Sequence, residues 1–359
     1  MPKGILSIIK DEAKGFLCLP CERLNLDADR FSEYRDSDDH PAEALFENPP
    51  LGAAQRPVPE VPPSVPSILR YFLDGSRRTY KVADLILGGR YLPLIAGQVA
   101  VAVLERGVDG RHVRPMREFC RFESVMAFPD MVAADDLSYL QECISRQGGR
   151  RFRLLTYSVK EGRDFVDLGI AKIMSEMHDL EISAVLHMAD RCLLSTERML
   201  VIDGPLRFKK RFDMVQFHNV IGLSKSFRPS FAVGKAGKRM DVGTMAARLS
   251  FGERTSAFKT IDDEKTIGMW YLRIRLPQMM TNPLQGIVKA ECYAVGPAEQ
   301  EDGLDAGRVD VISGHILRER NVTPFQTDWR WANHIYPVYL TEMYAKASFA
   351  SDVSFQGMF

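Results

Sequence analysis

The chain has 359 residues, with 47 Lys and Arg against 47 Asp and Glu, so it carries no formal net charge to draw it onto nucleic acid or an anionic membrane. Its 45% hydrophobic and 26% charged content is that of a globular domain with a sizeable core. No stretch reaches the roughly 20 apolar residues of a membrane span: the best, Tyr91 to Leu104, is short and broken by Pro93, Gly97 and Gln98. The amino terminus lacks the order of a signal peptide, so cytoplasmic residence is the expectation.

Residues 1 to 47 combine a short amphipathic start (Ile5, Leu6, Ile8, Ile9) with an acidic run from Asp27 to His40. Cys18 and Cys21 have the spacing of half a zinc knuckle or a redox pair, with His40 as the nearby extra ligand, or are simply two reduced thiols. Asn48 to Pro66 is Pro-rich and reads as an extended strap. Residues 1–66 are therefore expected to form an arm, with the folded domain starting near Ser67 and a short tail at 351–359.

Ser67 to Ser76 runs a hydrophobic strand into Asp74-Gly75, and Met199 to Leu206 repeats the pattern with Asp203-Gly204-Pro205. Asp-Gly after a strand is ordinary turn chemistry. Two such junctions point instead to a shared acidic site, because open α/β sheets present their chemistry at the carboxyl ends of strands. Thr79 to Leu87 and Tyr91 to Glu105, separated by Gly88-Gly89, suit a hairpin. A meander whose first strand carries an acid is how ribonuclease-H-like domains begin. Arg106 to Phe128 is mixed, and Ala133 to Gln147 reads as a helix.

Phe165 to Leu194 is the longest helical pattern. Ile170, Met174, Met177, Glu181, Ala184 and Met188 follow spacings of four and three, which places Glu181 in the apolar stripe. Glu176 falls on the polar face with Lys172, Asp179, Ser183 and His187. A buried carboxylate is normally paired or bound to metal, so Glu181 is the better candidate, with an arginine salt bridge as the structural alternative. Beyond Asp203 come Arg207, Lys209, Lys210 and Arg211, then a strand-like run, Val220 to Phe227, carrying Lys225 between two serines. That combination suits a phosphate oxygen, or else a solvated strand end. Met269 to Leu276 and Gly286 to Val295 read as strands, and Trp329 to Phe349 as a strand or loop entering a helix.

At about 5 Å and an effective dielectric near 20, each pair among Asp74, Glu181 and Asp203 would repel by roughly 3 kcal/mol. Convergence of the three therefore requires a divalent cation, and all-oxygen ligation suits magnesium or manganese. Two such ions are the usual device for displacement at phosphorus. Lys225, with Arg77 or Arg207, would contact phosphates. Asp190 and Asp213 are further acids without a positional argument.

The succession Asp74-Gly-Ser76, a helix with Glu181 in its stripe, Val201-Ile-Asp-Gly-Pro-Leu206, Gly222-Leu-Ser-Lys-Ser226 and Tyr336-Pro337 with Leu340 resembles the NurA nuclease family over residues 67 to 350. The resemblance implies a ribonuclease-H-like α/β fold of a mixed sheet flanked by helices, a homodimer, DNA cleavage with Mn2+ or Mg2+, and partnership with a HerA-type hexameric ATPase in repair or anti-phage defence. It assigns metal binding to Asp74, Glu181 and Asp203, and places Lys225 and Tyr336 on family motifs that meet DNA. One departure stands out. Where the family carries a histidine four residues after the leucine, this chain has Tyr344, and His334 lies ten residues earlier. A NurA-like adaptor without catalysis, docking on or regulating the ATPase, is thus the rival expectation. The amino-terminal segment and the apolar tail (Phe355, Met358, Phe359) are possible docking arms, or in the tail's case a frayed end.

Overall fold

The computed structural model describes residues 3–27, 42–50, 55–107, 110, 112–147, 151–208, 210–227, 231–233, 239–320 and 329–359. The spine is a long hairpin of β2 (Leu69–Leu87) and β3 (Arg90–Arg106), which follow α1 (Ile5–Glu12) and β1 (Leu17–Asn25). Gly88 and Gly89 both sit at positive φ in the two-residue turn, as the tight reversal requires. Then come β4 (Arg121–Pro129), α2 (Ala134–Gln147), β5 (Arg153–Tyr157), α3 (Phe165–Asp190), β6 (Met199–Asp203) and β7 (Val220–Ser224). The carboxyl-terminal half adds β8 (Phe258–Asp262), β9 (Lys265–Arg273), β10 (Ile287–Tyr293), α4 (Ala306–Arg318), α5 (Tyr336–Ala347) and α6 (Asp352–Gln356).

Within the described residues, fourteen strands join one mixed sheet, whose central order is β8-β9-β10-β7-β6-β2-β3-β4-β5. β6 runs parallel to both β2 and β7, and β5 parallel to β4, whereas the β2–β3, β3–β4, β7–β10 and β9–β10 pairs are antiparallel. The chain is thus α/β, with a large mixed sheet flanked by helices.

Alternation along β3 assigns the two faces. Val101 and Val103 pack with Ile182 and Val185 of α3, whereas Ala100 and Ala102 pack with Ala345 of α5. α3 is fixed at its start by Asp164, whose carboxylate accepts from the Val166 N–H. α5 begins with Tyr336 and Pro337, the residue type best suited to a first helical turn. No helix among the described residues is long and apolar enough to cross a membrane.

Two expectations are corrected. The described part of residues 1–66 does not hang off the domain as an arm. Ile5, Leu6, Ile8 and Ile9 are buried in the core, β1 pairs with β2, and Gln55–Pro57 pairs with Glu253–Thr255. Nor does the tail fray: α6 buries Phe355 completely, and Phe359 closes the same core, with the Ile5 N–H donating to Met358 O. Amphipathic ends of this kind find their apolar partners far away in sequence, which local composition does not reveal. Among the cysteines, Cys18 is a buried thiol pushed up to about 11 by burial, and Cys21 is half-buried; neither is in a disulfide. His40 lies outside the described residues.

Candidate functional site

β6 stops at Asp203 because Gly204 takes a φ of 126° and Pro205 follows without an N–H to continue the ladder. The exit is locked from β10. The Leu206 N–H donates to Glu291 Oε2 at 2.8 Å, and the Tyr293 hydroxyl donates to Leu206 O at 2.7 Å. β2 does not stop where its neighbour does. It continues through Asp74 and Gly75 to Leu87, so Asp74 sits inside a strand and not at its end, contrary to the expectation from Asp-Gly. The result is a gap in the sheet just beyond β6.

The register fills that gap with carboxylates. Val201 and Ile202 lie beside Phe72 and Leu73, so Asp203 and Asp74 follow on adjacent parallel strands. Asp74 is opposite Ala102 and so projects toward α5. Gly75, opposite Val101, faces α3, and a Cβ there would overlap the Glu181 carboxylate. Glu181 thereby reaches the gap from the other face, and the Gly75 backbone N–H donates to it.

Lys225, just past β7, donates to Asp203 Oδ2 at 2.6 Å and to Glu342 Oε2 at 3.1 Å. Its backbone carbonyl accepts from Asn333 Nδ2 at 2.6 Å, which pins the strand end. Glu342 lies on α5, outside the residues that the sequence singles out; its Oε1 accepts from Lys346, four residues on, at 2.6 Å. Acid and lysine at that spacing look in sequence like a solvated helix pair. Only the packing of α5 on β2 and β3 turns Glu342 inward.

Asp74, Glu181, Asp203, Lys225 and Glu342 line one cleft of about 900 Å³, together with Arg77, Arg207, Lys210, His178 and Lys346. Its electrostatics are those of crowded acids. Burial, then Asp203, push Glu181 up to about 8. Burial and Asp203, with Glu342 and Glu181, also raise Asp74 well above the carboxylate range against the pull of Lys225. Burial opposes the charge on Lys225, but Asp203, Glu342 and Asp74 outweigh it and raise its pKa. Burial likewise opposes ionisation of Glu342, yet Lys225 and Lys346 hold it at about 2. Asp74 and Glu181 are therefore short of positive charge, while Glu342 is satisfied.

The remaining predicted residues divide. Arg77 lines the cleft and donates to Asp27 at 2.7 Å. Arg207 lines it too, with a side chain only 10% exposed and its nearest ionic partner, Glu291, 3.7 Å away. None of its guanidinium nitrogens has a hydrogen-bond partner among the described residues. Glu176 is not on a solvated face: it is buried in an ion pair with Arg153, outside the cleft, because β5 extends the sheet beneath that side of α3. Tyr336 is 55% exposed at the start of α5 and is not among the cleft residues. Tyr344 packs its ring on Phe122 at 6.3 Å, and His334 is buried against Tyr339 at 5.8 Å. Neither stands in the cleft, and the residues that α5 contributes are Glu342 and Lys346.

Among the described residues, no group of three or more His, Cys, Asp or Glu side chains is gathered closely enough to hold a metal ion as it stands. Lys225 occupies the position between Asp203 and Glu342. The donor chemistry nevertheless fits a hard divalent cation: the acids offer only oxygen, and burial and mutual repulsion raise the pKa of two of them, Asp74 and Glu181. No protein-family model matches the chain, and no curated protein matches it.

Proposed function

We propose that this chain is a NurA-like, Mn2+- or Mg2+-dependent deoxyribonuclease that works as a homodimer with a HerA-type hexameric DNA translocase. The observation that carries the reading is the convergence of Asp74, Glu181 and Asp203, from two strands and a helix, on one cleft lined by Arg77, Arg207 and Lys210. The order β4-β3-β2-β6-β7, an antiparallel meander extended by two parallel strands with acids on β2 and β6, supports a ribonuclease-H-like core.

In this reading Asp74, Glu181 and Asp203 hold the cation. When bound, it supplies charge neutralisation and an activated water for attack at phosphorus. The chain's own residues do the rest. Arg207 is a pre-placed guanidinium whose nearest carboxylate, Glu291, stands 3.7 Å away and accepts no hydrogen bond from it among the described residues, which leaves its donors for a bidentate grip on a phosphate beside the acids. Arg77 and Lys210 extend the positive lining along the strand. A neutral chain with so local a basic patch gains DNA affinity from a motor partner that feeds the strand to it.

The second reading, a non-catalytic adaptor for the ATPase, is favoured by the closed Lys225 ion pairs with Asp203 and Glu342. End-labelled linear DNA with Mn2+ or Mg2+, with and without the ATPase, separates the two. Cleavage abolished by Asp203→Ala and lowered at least a hundredfold by Glu181→Gln, but retained by Glu176→Gln, is the expected result. No cleavage under any condition by a folded protein that still binds the ATPase would replace the nuclease with the adaptor.

A further inference from the structure

Two cations in the cleft meet their carboxylates at different range. Lys225, with a side chain only 11% exposed, neutralises Asp203 and Glu342 at 2.6 and 3.1 Å. Arg207 is nine-tenths buried, lines the same cleft and has no hydrogen-bond partner for any guanidinium nitrogen among the described residues. The first is a cation seated among acids. The second is a cation whose nearest carboxylate, Glu291, lies 3.7 Å away, too far to accept a hydrogen bond from it.

We propose that Lys225 is a place-holder for a divalent cation, and that Glu342 on α5 receives that cation together with Asp203. A divalent ion between these carboxylates repels the ammonium at short range, where burial leaves little screening. The displaced Nζ, on its flexible stem, then donates to a phosphate oxygen beside Arg207. Lysine and metal thus alternate on the same two carboxylates, and the lysine meets phosphate only when the cation is loaded. Because Glu342 belongs to α5, cation binding also ties that helix to the ends of β6 and β7. No bond is made or broken in the exchange. The inference rests on the nuclease reading for its substrate, and on the cleft alone for the exchange.

Mn2+ alone is the probe, titrated into the full chain and followed by the electron paramagnetic resonance signal of the free ion. Lys225→Met is expected to raise Mn2+ affinity at least tenfold, and Glu342→Gln to lower it at least tenfold. Circular dichroism and hydrodynamic size establish that each variant is folded. Should Lys225→Met fail to fold, Lys225→Gln, with a similar stem and a polar end, makes the same comparison. A folded Lys225 variant that binds Mn2+ no more tightly than wild type, or a Glu342→Gln protein that binds it equally well, overturns the exchange. DNA cleavage is scored separately. The expected affinity order without cleavage leaves the exchange standing and sinks the nuclease. Cleavage lost in Asp203→Asn, with Mn2+ affinity indifferent to Lys225 and Glu342, does the reverse. Mn2+ bound by none of the proteins overturns both.

Discussion

Gly75 and Glu181 share one space: the carboxylate of the helix residue stands where the strand residue's side chain would be, and the Gly75 N–H donates to it. The glycine is required by this close approach and not by a turn, since β2 continues for twelve residues to Leu87. Gly75→Ala is therefore expected to push Glu181 out of the cleft. Overpacking of this kind costs about 1–3 kcal/mol, readable in urea unfolding, and cleavage should fall at least tenfold. Wild-type stability and activity in Gly75→Ala would mean that Glu181 has no need of this seat.

Stability in chelator should depend on pH through Glu181. Its pKa is raised from an ordinary 4.5 to about 8, chiefly by burial and then by Asp203. The folded chain thus holds a proton that the unfolded chain releases. The contribution is fully present below pH 4.5, is lost as pH rises toward about 8, and is constant above that. The limiting slope is about 1.4 kcal/mol per pH unit. Glu181→Gln cannot ionise, so its melting temperature should gain on wild type across that window. Parallel melting curves for the two proteins from pH 4.5 to 8 would show that the carboxyl ionises freely.

Arg207 should contribute to DNA affinity. Its guanidinium is buried 3.7 Å from Glu291, with no hydrogen-bond partner among the described residues. Arg207→Met is expected to bind a fluorescent oligonucleotide more weakly. The slope of log affinity against log salt should become shallower by about one unit. An unchanged slope would remove Arg207 from the phosphate contacts.

Phe355 joins the two ends of the chain, packing on Tyr80 at 5.0 Å, Phe359 at 5.5 Å and Phe152 at 5.9 Å. Phe355→Ala should cost about 3–5 kcal/mol in denaturant unfolding. A loss below about 1 kcal/mol would restore the view of a loosely attached tail.

What the sequence reveals of this molecule follows the range of the forces involved. Asp203 is legible because its strand, glycine and proline are contiguous. Asp74 is legible as a residue but not in its placement, since Gly75 answers to a helix more than a hundred positions away. Glu181 is separable from Glu176 by periodicity, yet the burial of Glu176 depends on β5 and Arg153, which no helical pattern contains. Glu342 is hidden by resembling a surface pair with Lys346. The expected arm and tail are misleading for a related reason: α1 and α6 are amphipathic alone and acquire their partners only when the chain closes on itself.

The spread of the cleft residues along the chain, from Asp74 to Glu342, has a consequence for biosynthesis. Translation delivers β2 well before α5, and the core under β1 waits for Phe355, which follows α5. A fragment that stops before α5 leaves Lys225 without one of its two carboxylates and the core without Phe355. The cleft is thus complete only once α5 has been made and packed on β2 and β3.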